Sequence, residues 1–275
     1  MNSRYSKTGF TVLELLVVVF LIALLLAIVI PSLFKAQGRV QTITCQSNLK
    51  QWGIYLVIYS NDNDGYLPAD SRDWMISLLP YSETARGPSG SPSSVSAGPN
   101  KSISCCPTAA QPGTIPPSDF GQPFAAFPIQ YPHSSEPIAL GSYGINGWVC
   151  HVSSSEKEIY GISTSKNWRR FDVGESASKI PLVLDSMWIR AFPDNNNLPP
   201  EKNGDFSNCD LTGGGSRQMR HFAIARHDGR TNILFLDLGV HQNGLKKLWK
   251  MKWHRGSDTN APEPAWPEWM QGLPD

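Results

Sequence analysis

Residues 1–34 read MNSRYSKTGFTVLELLVVVFLIALLLAIVIPSLF. A short polar leader carrying Arg4 and Lys7 gives way at Phe10 to an apolar run that lasts to Phe34, and Leu15 to Ile30 contains no polar side chain. A helix of about 20 residues crosses a hydrocarbon core of ~30 Å, so this run is long enough for one span. Basic residues ahead of the span predict a cytoplasmic N-terminus and place everything after it outside. A secretory signal has a shorter apolar region followed by a small-residue cleavage site, and no such site follows closely here. An uncleaved single-span anchor is the plain alternative. The expected organisation is therefore a leader at 1–9, a transmembrane helix at 10–34, its amphipathic continuation at 35–61, an extracytoplasmic head at 62–260 and a Pro- and Trp-rich tail at 261–275.

Glu14 is the anomaly in this run. A carboxylate within a lipid-facing helix is costly and calls for a partner, yet no Lys, Arg or His lies inside the span. Cleavage after Gly9 would create the nearest cation, a free amine on Phe10. Within one helix that amine is about 6 Å down the axis from Glu14; on a neighbouring subunit staggered by a turn it meets the carboxylate more directly. Glu14 then sets the register between subunits, while apolar packing supplies adhesion. The alternative is an acid near the interface that snorkels to water or is protonated.

Lys7-Thr8-Gly9-Phe10-Thr11-Val12-Leu13-Glu14 resembles the leader of type IV prepilins and type II secretion pseudopilins. The resemblance implies cleavage after Gly9 by a prepilin peptidase, methylation of Phe10 and a filament-assembly role for Glu14. Counted from Phe10, Glu14 is fifth and Pro31 twenty-second, where the family carries its helix-bending proline. Further blocks are similar to a large prepilin-like group of planctomycete-type bacteria: Cys45 to Gln51, Tyr59 to Pro68, Cys106-Pro107 and Ser142 to Asn146. That group ends in a His, nine residues, then Asp-Gly. Here nine residues separate His227 from Asp237, but Leu238 intervenes before Gly239.

Beyond the span, Leu49, Trp52, Leu56 and Tyr59 form one stripe at helical spacing, so the helix is expected to continue and bury that face. Pro31 and Gly38 are the expected bend points. Asn61-Asp62-Asn63-Asp64-Gly65 reads as a helix stop, with Gly65 left-handed. Its spacing also faintly matches a calcium loop, although Ser71 stands where a bidentate Glu is required. Residues 82–140 are rich in Gly, Pro and Ser and read as long loops with few regular elements. Strands are expected at Ser142–Asn146, Ile180–Asp185 and Thr231–Leu236, the last opening a hairpin through Asp237-Leu238-Gly239.

A net charge of +1 gives no field that would attract nucleic acid. Glycine and proline are abundant, at 23 and 22 residues, but nine Trp and 40% apolar residues supply a core. None of the five cysteines is in a CxxC spacing, which argues against a zinc knuckle. Outside the membrane one or two disulfides are expected, with Cys150–Cys209 the favoured pair and one cysteine left over. His221, His227, Asp228, Asp237 and His241 are the candidate chemical cluster. Their spacing matches no zincin pattern, and the favoured role is structural, His227 and Asp237 tying the hairpin ends through side-chain-to-backbone bonds. Calcium at Asp237 is the alternative that related pseudopilins suggest; otherwise no cofactor, metal or catalysis is expected. Trp249, Trp253, Trp266 and Trp269 form either core and tail packing or a ligand platform.

The fold expected is α+β and pilin-like: a long N-terminal helix, half transmembrane, on a small antiparallel sheet with long loops. The function expected is a non-enzymatic filament subunit of the inner membrane, head periplasmic or extracellular, with other pilin-like subunits and membrane lipid as partners. A membrane-tethered surface- or glycan-binding protein with a Trp-rich head is the alternative.

Overall fold

The computed structural model describes residues 11–69, 71–81, 103–109, 124–130, 137–152, 158–159, 162–205 and 217–275. The chain divides into two units, Met1–Val40 and Gln41–Asp275. The apolar run and the amphipathic run belong to one helix, α1 (Val12–Asp62), which continues through Pro31 and Gly38 without a break in its helical residues. In the first unit, Thr11 to Ala36 and onward to Gln37 are exposed, as are nearly all the large apolar side chains from Val12 to Val40.

In the second unit the helix turns one face inward. Cys45, Leu49, Trp52 and Leu56 are buried, at alternating spacings of four and three residues, and Tyr59 packs at the edge of the same core. Gly53 lets the helix approach the sheet closely: a Cβ there would stand 3.2 Å from both methyls of Leu234. The helix ends as the turn residues dictate. Asp64 and Gly65 both take left-handed backbone angles, and the Gly65 amide donates to the Ser60 carbonyl at 2.8 Å. Asn63 Nδ2 donates to the Tyr59 carbonyl and Arg170 Nη2 to that of Asp64. The 61–65 segment is thus a helix cap, the favoured of its two readings. A short helix, α2 (Trp74–Ser77), follows and buries Trp74 and Met75.

The sheets are small. A two-stranded pair, β1 (Phe127–Gln130) with β2 (Pro137–Gly141), lies in the stretch expected to be mostly loop. Phe127 and Ile129 alternate inward there, and the Pro- and Gly-rich surroundings masked this short apolar period. The main sheet is formed by β3 (Tyr143–Asn146), β6 (Pro181–Asp185), β7 (Arg190–Ala191), β8 (Arg230–Phe235) and β9 (Val240–Gly244) in the order β7-β3-β6-β8-β9. Between β3 and β6 in the chain, β4 (Glu158–Ile159) and β5 (Ile162–Ser163) form a separate two-stranded pair.

Pairing in the main sheet is antiparallel except at β7, which joins β3 in parallel. The exception follows from the path of the chain. β6 and β7 flank β3 on opposite sides, so the Ser186–Ile189 connection must cross over β3. It does so above Gly144, where a Cβ would stand 2.4 Å from the Trp188 carbonyl oxygen. β6 lies between β3 and β8 and is buried along its whole length, which accounts for the unbroken apolar run Ile180–Leu184. The outcome is an α+β fold, with the sheet mixed rather than purely antiparallel.

The C-terminal residues close the core. A 3₁₀ helix at Leu245–Lys250 buries Leu245, Leu248 and Trp249, and Trp253 follows it inward. Asn146 Nδ2 donates to the carbonyls of Pro181 and Trp253, both at 2.9 Å, binding this segment to the sheet. The tail then wraps back over the head through α3 (Glu268–Gln271). Trp266 meets Trp249 edge-on at 5.1 Å, and Trp269 Nε1 donates to the Pro200 carbonyl at 2.8 Å.

Candidate functional site

At the start of α1, Thr11 and Glu14 form a reciprocal cap. The Glu14 amide donates to Thr11 Oγ1 at 3.2 Å, and Glu14 Oε2 accepts from the Thr11 amide and hydroxyl, each at 2.9 Å. The pair satisfies otherwise unpartnered amides of the first helical turn. Sequence reading missed this role, although Thr-x-x-Glu before an apolar run is its ordinary signature. Gly9 and Phe10 lie outside the described residues. The helix is long and apolar enough to cross a membrane.

The residues singled out near the C-terminus do not form one site. Asp237 Oδ1 accepts from the Gly239 amide at 2.8 Å and shapes the β8–β9 turn, while His241 lies against Phe235. His221 Nδ1 lies 3.2 Å from the Arg190 carbonyl oxygen. Asp228 and Gly229 both have positive φ and form a two-residue turn, bracketed by mutual backbone bonds between His227 and Arg230. His227 therefore does not tie the β8–β9 turn through its ring. The turn at its side fixes its backbone at the entrance to β8 and sends the imidazole into the core. Cys150 is buried beside β3; Cys209 lies outside the described residues.

The imidazole of His227 meets groups from three distant parts of the chain. Its Nε2 lies 3.3 Å from Asp185 Oδ2, at the end of β6, and 3.3 Å from Cys106 Sγ. Cys45 Sγ, on the inner face of α1, lies 3.3 Å from Asp185 Oδ1. The four ligand atoms are all within 4.8 Å of one another, and all four residues are buried. The outer groups are ordered as well. Thr42 Oγ1 is 3.2 Å from His227 Nδ1, the Tyr143 hydroxyl donates to Cys45 Sγ at 3.3 Å, and the Asn232 amide donates to Asp185 Oδ2 at 2.9 Å.

Burial alone would discharge these groups, but their mutual contacts hold the opposite balance. Although burial opposes it, hydrogen bonds to Asp185 and Cys106 raise His227 to about 10. Burial also disfavours the Cys106 thiolate, yet hydrogen bonds with Cys45 and His227 and the charge of Arg226 bring it down to about 6. Asp185 is likewise held below its usual range against its burial by His227, Arg226 and the Asn232 amide. The cluster is a buried knot of charge, with Arg226 Nη1 at 3.9 Å from Asp185. It lies at residues 45, 106, 185 and 227, so no local spacing could reveal it; the Asp-Gly turn after His227 was the one local signal within reach.

The nine tryptophans are placed inside or against the core. Six are buried and Trp188, Trp266 and Trp269 are half-buried. The fully buried Trp249 and Trp253 serve packing and are closed to a ligand.

These features define an α+β chain with one N-terminal helix suited to a membrane and a head built on that helix's inner face. No protein-family model matches the chain, and no solved structure matches it. The ComG operon protein 3 homolog of Bacillus licheniformis is 33% identical to it over 63 residues. The match covers 23% of this chain and 65% of that protein.

Proposed function

We propose that the chain is a pilin-like structural subunit, processed by a prepilin peptidase between Gly9 and Phe10 and assembled through α1 into a type II secretion or type IV pilus-like filament. The observation that carries this reading is the uncovered apolar surface of α1 from Val12 to Val40. A helix apolar all round is stable only in lipid or among other apolar helices, and a filament core supplies the second environment when the subunit leaves the first. The similarity to the ComG operon protein 3 homolog agrees with a pilin-like subunit.

The leader stays cytoplasmic, the span lies in the inner membrane and the head faces the periplasm or exterior. Methylation of the Phe10 amine follows cleavage. The protein acts by assembly and not by catalysis. Glu14 caps its own helix in the single subunit. In the filament its second carboxylate oxygen meets the Phe10 amine of a neighbour and sets the axial offset.

Intact-mass and N-terminal analysis of the protein extracted from its host's membranes tests processing. A chain beginning at Phe10 with one added methyl is expected. A chain retaining Met1 to Gly9 refutes it. For assembly, Glu14→Ala is expected to leave membrane insertion and the head's fold unchanged while abolishing filaments; normal filaments from that variant refute the register role.

A further inference from the structure

We propose that Cys45, Cys106, Asp185 and His227 bind one Zn2+ ion in a closed tetrahedral site that pins the Gln41–Asp62 part of α1 to the sheet. This goes beyond the filament reading and does not depend on it.

The geometry comes first. Zinc holds sulfur at ~2.3 Å and nitrogen or oxygen at ~2.0–2.2 Å, so the edges of its coordination tetrahedron are about 3.3–3.8 Å. His227 Nε2 stands 3.3 Å from both Asp185 Oδ2 and Cys106 Sγ, Cys45 Sγ stands 3.3 Å from the other carboxylate oxygen, Asp185 Oδ1, and one donor atom from each of the four residues falls within 4.8 Å of the rest. The contacts are less natural as hydrogen bonds. Nε2 of His227 carries at most one hydrogen, yet Asp185 Oδ2 and Cys106 Sγ both face it. Its 3.3 Å to the carboxylate is long for a bond between charged groups, which closes to ~2.7–2.9 Å. One donor atom from each of four residues, converging on one point at separations near a tetrahedron's edges, is the arrangement a central ion occupies.

The chemistry of the donors selects the ion. Two thiolates with an imidazole favour zinc over calcium or magnesium, which take oxygen. Four protein ligands leave no open position, so the site is structural. Charge also balances, because the divalent ion and the Arg226 guanidinium together offset two thiolates and one carboxylate. A buried charge cluster is tolerated when it is compensated in this way.

Each ligand is also held from behind, as metal ligands characteristically are. Thr42 Oγ1 lies 3.2 Å from His227 Nδ1, where it takes the ring proton and leaves the Nε2 lone pair turned inward. Thr108 Oγ1 lies 2.9 Å from Cys106 Sγ, Tyr143 donates to Cys45, and Asn232 orients Asp185. Asn232 is in turn fixed by Gln46 Nε2 at 3.2 Å, one residue along α1 from Cys45. In an oxidising compartment, coordination would also hold the two neighbouring thiols as thiolates and keep them from pairing.

The test uses the full chain, purified in detergent with reductant, loaded with zinc chloride and passed into metal-free buffer. Elemental analysis is expected to find one zinc per chain. Replacement by cobalt is expected to give thiolate-to-cobalt charge-transfer bands and the intense visible bands of a tetrahedral ion. Cys106→Ser should lose the zinc. Thr42→Val should keep the fold by circular dichroism and weaken zinc binding by ~10–100-fold. His227→Cys, which retains four donors, should keep one zinc and strengthen the charge-transfer bands, distinguishing ligand loss from misfolding. A folded wild-type chain that retains no zinc overturns the proposal. So does a Cys45–Cys106 disulfide found by non-reducing peptide mapping of the chain taken directly from membranes.

Discussion

Leu238 offers a test of backbone strain at the one place where the chain departs from an Asp-Gly turn. The β8–β9 connection is a three-residue loop, Leu238 donating its amide to the Phe235 carbonyl at 2.9 Å, while the Phe235 amide donates to the Gly239 carbonyl at 2.8 Å. The last loop residue of such a hairpin must be left-handed and is ordinarily glycine. Here it is Leu238, with φ +66°. A side chain in that region costs about 1–2 kcal/mol. Part of the cost is offset by packing, since the Leu238 side chain reaches toward Gly53 on α1 and Lys50 Nζ donates to its carbonyl at 2.8 Å. Leu238→Ala keeps the strain and removes the packing. Leu238→Gly removes both, but adds roughly 0.4–1 kcal/mol of freedom to the unfolded chain. The glycine variant should therefore be more stable than the alanine variant by about 0.5–1 kcal/mol. For a head of this size that is a difference of roughly 2–4 °C in Tm at the upper end of the range. Urea and thermal melts of the two variants in detergent measure it. An alanine variant equal to or more stable than the glycine variant refutes the strain argument.

Two further outcomes follow from the geometry. Gly144→Ala should destabilise the head by about 1–3 kcal/mol or more, because its Cβ meets the Trp188 carbonyl, a backbone atom with little room to move; a melt unchanged from wild type would show that the crossover loop yields freely. Asp194 accepts from His254 Nε2 at 2.9 Å, and that bond, with the Asn196 amide and Lys166, holds its carboxyl below the usual range. A depressed carboxylate contributes stability above its unfolded pKa of ~3.9 and loses it as pH falls through the lower folded value. Asp194→Asn should therefore be less stable than wild type by about 1 kcal/mol at neutral pH, with the gap narrowing below about pH 4, where the unfolded-state carboxyl takes up its proton first, and gone only below the lower folded value; denaturant melts at pH 7 and pH 3 measure the narrowing, and a gap that persists unchanged into acid counts against an ionic origin.

Much of the scaffold was legible because its signals are local. The apolar run, the stripe Leu49–Trp52–Leu56, the Asn61–Gly65 stop and the strand Thr231–Leu236 each carry their own period or turn chemistry. β1 and β2 escaped notice because four or five residues among prolines and glycines are too few to establish a period. β7 has only two residues, and its parallel pairing depends on a crossover that no local pattern encodes. The buried cluster was legible only in fragments. The lack of a CxxC spacing speaks only to a contiguous knuckle, and a site assembled from residues 45, 106, 185 and 227 needs the fold before it has any spacing at all. His227 was singled out and given the wrong task, since proximity in sequence to Asp237 suggested a partner that the Asp228-Gly229 turn directs it away from. The Glu14 cap was overlooked because its charge within an apolar run drew attention to an intermolecular role first.

The seating of Gly53 against Leu234 has a consequence for biogenesis. These positions are about 180 residues apart in the chain, so the helix emerges long before the strand that covers it. At about 5–20 residues per second of synthesis, the inner face of α1 waits roughly 10–40 s without its partner. During that interval the apolar stripe of Leu49, Trp52 and Leu56 stands without its cover. Another apolar surface, or a chaperone, must shelter the stripe until β8 arrives. Synthesis rate and head folding are thereby coupled through the order in which one helix and one strand leave the ribosome.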